Sequence, residues 1–511
     1  MRKSLLTACL VALAVLFAAV PARTADQKKG GILKIATIGE PPTLDPTSTT
    51  ADVVGMITQH YYETLYAFGH GFAVKPLLAA AMPDITNEGK TYSIPLRQGV
   101  MFHNGKELTA EDAVASVKRW LNNSVRGKQV APMVQDVSVV DKYTLKIELN
   151  APHTPLLALL AIPTSMAIII PAENCEGDLK DFTGTGPYKF VEHQPDRYIR
   201  LVRYDGYKPS PDAGDLYAGA RVAYADELQF SPVPSANTRL EGALAGQYHY
   251  ADQLPIENYD RLVGKDRCEP VMTEPYGWPM MFLNCREGKM TNIKMRQAVQ
   301  AALSQEDMMA IAFGEEQFYA VDGALYPEGY FYHSKKGTEL YNQYDIEKAK
   351  ALLKEAGYDG STVRILTSMQ YEFHFKMAQV SAENLREAGM KVELDVVDWA
   401  TLTQQRADPS KWDLYYTHSP FVPDPFLNNF FNDEYPGWWV DAKKTELADK
   451  FNSEPDLKKR AEIFGDIQQL LYDSASSIKI GNFNLLAAKA KSVTGYQASS
   501  WPSFWNVSIE E

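Results

Sequence analysis

Asn87 to Trp120 reads NEGKTYSIPLRQGVMFHNGKELTAEDAVASVKRW and holds three consecutive, well-marked elements. Tyr92, Ile94 and Leu96 alternate with polar residues, the period of a half-buried strand. Pro95 lacks an N–H, which predicts an edge strand or a bulge. Asn104-Gly105, flanked by Phe102 and Leu108, supplies the two φ > 0 positions of a tight hairpin turn. Thr109 then precedes a helical run with Asp112 three residues on, close to a capping box. Ala113, Val114, Val117 and Leu121 fall on one helical face.

Outward from this stretch, the pattern alternates strands with helices. Gly31–Ala36 reads as a first strand, and the prolines of Glu40–Pro46 rule out regular structure after it. A helix is expected over Ser48–Leu65. The apolar run Leu156–Ile170 is broken by Pro163, so it reads as core and not as a membrane span. The clearest periodic block is Tyr344–Val397. Asp345 caps a helix stopped by Gly357, Val363 and Ile365 mark a strand, a helix stops at Gly389, and Val392, Leu394 and Val396 mark the next strand. Strand–helix–strand with short links is a right-handed βαβ unit in a partly parallel sheet.

The exact strings also resemble those of a known family. Leu96-Arg-Gln-Gly-Val-Met-Phe-His-Asn-Gly105 and Leu108-Thr-Ala-Glu-Asp-Ala113 are similar to the signature of the family 5 extracellular solute-binding proteins, the dipeptide, oligopeptide and nickel-complex receptors of ABC importers. Pro42-Thr-Leu-Asp-Pro46 and Gly184-Thr-Gly-Pro-Tyr188 resemble further family strings. The resemblance implies an α/β, periplasmic-binding-protein-like fold of two lobes with an extra subdomain, joined by a two-segment hinge near 271–283 and 474–482. The expected organisation is a signal peptide at 1–22, lobe I at 23–66, the extra subdomain at 67–182, lobe I again at 183–270, lobe II at 271–478 and a lobe I return at 479–511. It also implies a peptide or small-molecule ligand, ABC transporter permease subunits as partners, a monomer, and a periplasmic location.

The remaining composition agrees with this expectation. Arg2 and Lys3, the apolar run Leu5–Val20 and the small residues of Val20-Pro21-Ala22 form a cleavable signal peptide, with cleavage before Arg23. The formal net charge of −13 argues against a nucleic-acid partner. There is no H-E-x-x-H, G-x-S-x-G or P-loop, and no two of the nine histidines are spaced as metal ligands on one helix, so neither an enzyme nor a metal or other cofactor is indicated. A secreted hydrolase or periplasmic chaperone remains the alternative. Export implies an oxidising compartment for Cys175, Cys268 and Cys285. Cys268 and Cys285 flank a run of alternating apolar residues centred on Tyr276–Pro279. Two antiparallel arms here bring these thiols together and leave Cys175 free; arms belonging to different lobes keep them apart.

The candidate ligand residues are aromatic. Tyr276 and Trp278 flank the crossing between lobes, and Tyr371, Trp399 and Phe421 follow the C-terminal ends of adjacent strands, where open α/β sheets bind ligands. In the family's peptide receptors an Asp and an Arg hold the ligand's two ends. The matching positions here are Phe421 and Gln370-Tyr371-Glu372, so neither end of a free peptide is obviously served. The expectation is a small organic solute or modified peptide, held by the five aromatics with Glu372 as counter-charge.

Overall fold

Residues 28–454 and 456–510 are described in the computed structural model; the leader read at 1–22 lies outside them. Thr91–Pro95 forms a strand with Tyr92 and Ile94 buried. It is not an edge. It pairs with both Asp84–Thr86 and Thr144–Leu149, and Val134–Asp141 completes a four-stranded sheet. Pro95 is accommodated because it is the last residue, beyond the point where the ladder to Asp84–Thr86 ends. The turn after it also differs from expectation. Phe102 N–H donates to the Lys106 carbonyl at 2.8 Å, but among Asn104 and Gly105 only Gly105 has positive φ, at 86°. The Asn104 side chain instead accepts from the Lys106 N–H at 3.0 Å, an Asx-type turn. The buried Asp112 carboxylate accepts from Thr109 N–H, the Thr109 hydroxyl, Lys106 Nζ and Ala172 N–H. The cap therefore ties helix Ala110–Asn123 to the turn before it and to the chain sixty residues on.

The main sheet has strand order Val392–Val396, Val363–Thr367, Leu414–Pro420, Cys268–Leu283, Asn482–Ala490, Tyr250–Leu254, Ile32–Thr37, Glu227–Pro232, Tyr198–Arg203, Tyr188–Gln194. Val363–Thr367 and Val392–Val396 are parallel and linked by helix Glu372–Glu387, the expected βαβ unit. The sheet runs through both lobes of this two-lobed α/β fold because Cys268–Leu283 changes partners along its length. Its first part, Cys268–Thr273, pairs with Leu485–Ala490; its second, Gly277–Leu283, pairs with Leu414–Pro420. A register shift between Thr273 and Gly277 separates the two halves.

The continuity of this strand overturns the cysteine pairing. Cys268 and Cys285 lie at opposite ends of a sixteen-residue extended segment, and at about 3.3 Å per residue they are several tens of ångström apart, far beyond the roughly 7 Å a disulfide spans. Cys175, Cys268 and Cys285, the cysteines among the described residues, are free thiols.

The helix read at Ser48–Leu65 is confined to Asp52–Thr58. Gly184 and Gly186 of the G-T-G-P-Y string are required sterically: a Cβ at Gly184 would stand 1.9 Å from the Tyr61 carbonyl oxygen, and one at Gly186 2.5 Å from that of His60. The 67–182 segment is not isolated from the second lobe. Thr154 N–H and Oγ1 donate to the Asn452 carbonyl, and His153 meets Phe426 edge-on at 5.0 Å. Among the described residues no helix is long and apolar enough to cross a membrane.

Candidate functional site

A pocket of about 540 Å³, counting its open mouth, lies where the two halves of the molecule face one another. Asp52, Arg126 and Trp501 stand on one wall; Trp399, Arg406 and His418 stand on the other. Five separate segments of chain supply these side chains, Trp399 and Arg406 sharing one helix. Asp52 is the first residue of helix Asp52–Thr58. Arg126 is on the short helix Val125–Val130, capped by Ser124, whose hydroxyl accepts from the Arg126 and Gly127 amides. That helix folds back so closely on its predecessor that a Cβ at Gly127 would be 2.0 Å from the Trp120 carbonyl oxygen; glycine here is what allows Arg126 its position. Arg406 closes helix Trp399–Gln405, which Asp398 caps by accepting from Thr401 N–H at 2.9 Å. His418 is on strand Leu414–Pro420.

Two hydrogen-bonded networks meet in the pocket. The Trp501 indole N–H donates to Asp52 Oδ1 at 2.8 Å, the Tyr276 hydroxyl to Oδ2 at 3.4 Å, and His418 Nε2 stands 3.9 Å from Oδ2. Burial pushes the Asp52 carboxyl up to about 6, against the opposing pull of those two donors and of Arg126. Burial also drives His418 down to about 3, so the imidazole is neutral at physiological pH. Its Nδ1 faces His374 Nε2 at 3.2 Å, while its buried Nε2 lacks a hydrogen-bond partner among the described residues.

The raised pKa of Asp52 makes a stability prediction. The folded state holds this proton more tightly than the unfolded chain, so the favourable contribution is complete below pH about 4 and is lost as pH rises through about 6. Two pH units correspond to about 3 kcal/mol at most; the side chain is one-fifth exposed to the pocket, which reduces the effect to about 1–2 kcal/mol. Asp52→Asn should therefore raise the thermal midpoint of the empty protein at pH 8 and leave it nearly unchanged at pH 4. Equal shifts at both pH values in calorimetry would exclude the carboxylate as the cause.

The aromatic residues read from sequence divide into two groups. Tyr371 and Trp399 line the pocket and meet edge-to-face at 4.6 Å, with Tyr371 also 4.7 Å from the His418 ring. Tyr276 reaches the site through Asp52. Trp278 and Phe421 do not line it. Trp278 is in the core against Phe430, and Phe421 packs on Tyr326 and Tyr330. The register shift before Gly277 explains Trp278. Tyr276 packs with Met281 and Leu283, and Trp278 with Met280 and Phe282, so the shift puts two residues of like parity on opposite faces. Glu372 is also placed elsewhere. It borders a second cavity, of about 480 Å³, on the other side of Tyr371 and is ion-paired with Lys376 at 3.3 Å, and Lys376 in turn reaches Glu257 at 2.9 Å.

Charges other than Glu372 line the pocket. Phe421 and Gln370–Glu372 do occupy the positions noted above, but Asp52, Arg126 and Arg406 bring charge from other segments. No local motif marks them, and sequence reading missed them together with His418 and Trp501. Asp424, beside Phe421, caps the turn Pro425–Leu427 and pairs with Arg460.

Comparison with known proteins is consistent with this architecture. Residues 73–437 match the description "Bacterial extracellular solute-binding proteins, family 5 Middle". A probable peptide ABC transporter periplasmic-binding protein of Sinorhizobium fredii is 25% identical over 489 residues, 91% of each chain. The glutathione-binding protein GsiB of Pectobacterium atrosepticum is 25% identical over 485 residues, 89% of each. The periplasmic binding protein DppA of Helicobacter pylori, solved with the peptide STSA, superposes with a TM-score of 0.83 at 21% identity, covering 95% of this chain and 99% of that one. This chain belongs to family 5 of the bacterial extracellular solute-binding proteins.

Proposed function

We propose that this protein is the extracytoplasmic receptor of an ABC importer, capturing a peptide or small organic solute between its lobes and delivering it to membrane permease subunits. The observation that carries this reading is the pocket itself, whose walls come from both lobes and whose residues sit on either side of the strands the lobes share. A ligand touching both walls favours the closed arrangement by its differential affinity for it. Relatives named for peptide transport and for glutathione binding favour a receptor over a hydrolase or chaperone. The same relatives support a periplasmic location, and the chain acts as a monomer. Lobe boundaries at 270/271 and 478/479, with 67–182 as an added subdomain, fit the change of partners along Cys268–Leu283. Within the pocket, Tyr371 and Trp399 supply an aromatic wall for an apolar or flat part of the ligand.

The test is solution scattering on the stripped and reloaded protein, using small molecules that co-purify with it. The radius of gyration should fall on reloading. An unchanged radius with saturated binding would reject hinge closure.

A further inference from the structure

The 67–182 segment is held by lobe I in several places. Arg97 Nη2 donates to the Lys208 and Pro209 carbonyls at 2.7 Å each. Arg119 pairs with Asp45 at 2.6 Å, and Met166 N–H donates to the Pro46 carbonyl at 3.0 Å. Lys189 Nζ donates to the His103 carbonyl at 3.3 Å.

The contact of this segment with lobe II is smaller and of another kind. Thr154 N–H and Oγ1 reach the Asn452 carbonyl at 2.9 and 3.0 Å. The His153 ring meets Phe426 edge-on at 5.0 Å, and Arg126 donates to the Leu427 carbonyl at 2.7 Å. Asn452 is on helix Ala442–Ser453, while Phe426 and Leu427 are in the turn Pro425–Leu427. Arg126 lines the pocket; His153, Thr154, Phe426 and Asn452 do not.

This joint is buried yet poorly satisfied. His153 is fully buried, and neither of its ring nitrogens has a hydrogen-bond partner among the described residues. The same is true of the buried Asn452 Oδ1. Each such atom carries a desolvation cost that water returns when the surfaces part. Permanent cores hold few atoms of this kind. Three of them on two residues of one joint mark it as a surface that separates.

We infer that the 67–182 segment is an arm of lobe I that clasps lobe II through His153 and Thr154 when the molecule closes, and so slows release of the captured solute from outside the pocket. This rests on the receptor reading and the lobe division above and deepens them. A contact made only after closure acts on departure and leaves the encounter alone, so its effect belongs in the dissociation rate. Losing the ring contact and one hydrogen bond together should speed release about tenfold.

Two measurements on the full exported chain test this, with the small-molecule fraction released by denaturing the purified protein as the probe. The first is hydrogen exchange of the segment Pro152-His153-Thr154-Pro155 in stripped and reloaded protein. Its two prolines carry no N–H, so the signal comes from His153 and Thr154 alone. The Thr154 amide should exchange at least tenfold more slowly when loaded. Equal rates in the two states would mean that the joint never opens, and would overturn the inference. The second is stopped-flow release followed by the fluorescence of Trp399 and Trp501, which line the pocket. Thr154→Val alone should speed release about threefold, and His153→Ala with Thr154→Val about tenfold, with association unchanged. Release unchanged in both variants would overturn the inference while leaving the receptor reading intact. The Thr154 side chain is exposed, so the single variant and the exchange measurement decide the matter even where the double variant does not fold. A protein that neither carries nor rebinds any solute would overturn the receptor reading as well.

Discussion

Asp424→Ala should lower the free energy of unfolding by about 3–5 kcal/mol, the usual cost of removing one partner from a buried ion pair. Arg460 is almost fully buried, its guanidinium stacked 4.0 Å above Phe451, and Asp424 is its one acidic partner among the described residues, at 2.9 Å. The substitution leaves a cation in an aromatic core and also removes the acceptor that caps Phe426 N–H at 3.0 Å. Asp424→Asn keeps that cap and should cost less. Replacing the pair together, by Asp424→Leu with Arg460→Met, should recover much of the loss, because two apolar groups leave no charge to desolvate. Denaturant unfolding of the three variants decides this, and a loss below about 1 kcal/mol for the alanine variant would mean that the guanidinium finds water. Ligand affinity should be unchanged in Asp424→Asn, since this carboxylate faces the core and not the pocket.

Gly277→Ala should be comparably damaging, at about 3 kcal/mol, and should also weaken binding. An added Cβ would sit 2.0 Å from the Ser419 carbonyl oxygen and 2.8 Å from Pro420 Cα, both backbone atoms that no rotamer change can move aside. Relief requires the two strands to separate at the Gly277↔Pro420 pair, two residues from His418. The pocket wall would move with them. Thermal unfolding and calorimetry with the co-purified solute should both register the change; a variant with unaltered midpoint and affinity would show that the strands have slack at this point.

The parts of the fold legible in the sequence were those encoded by nearby residues. The Thr109–Asp112 cap, the Val114–Val117 face, the helix stops at Gly357 and Gly389 and the alternation of Val392, Leu394 and Val396 each involve a few residues within one element, where periodicity and capping chemistry act. Three readings failed because a distant partner decided them. Pro95 looks like an edge residue until Asp84–Thr86 is seen to stop short of it. Cys268 and Cys285 read as two arms until the long strand is seen to be continuous. Trp278 reads as a companion of Tyr276 until the register shift turns them apart. The pocket was legible only on its Tyr371–Trp399 side, where strand ends announce it. Its charges could not be read, because Asp52 looks like an ordinary helix start and Arg126 and Arg406 like ordinary surface cations; what distinguishes the two arginines is burial at the pocket, which only the fold reveals.

Strand Asn482–Ala490 lies in the middle of the main sheet, flanked by strands made more than two hundred residues earlier. Trp501 completes the surroundings of Asp52 across 449 residues, and Phe504 N–H donates to His60 at 2.9 Å across 444. A late segment of the chain thus finishes an early one. A chain still in synthesis lacks the central strand and one wall of its pocket, and contacts of such long range form slowly once the chain is free. For a protein exported as proposed, this delay has a use: the polypeptide stays threadable while it passes a translocase, and it acquires its receptor form only after the segment that holds Asn482–Ala490, Trp501 and Phe504 has crossed.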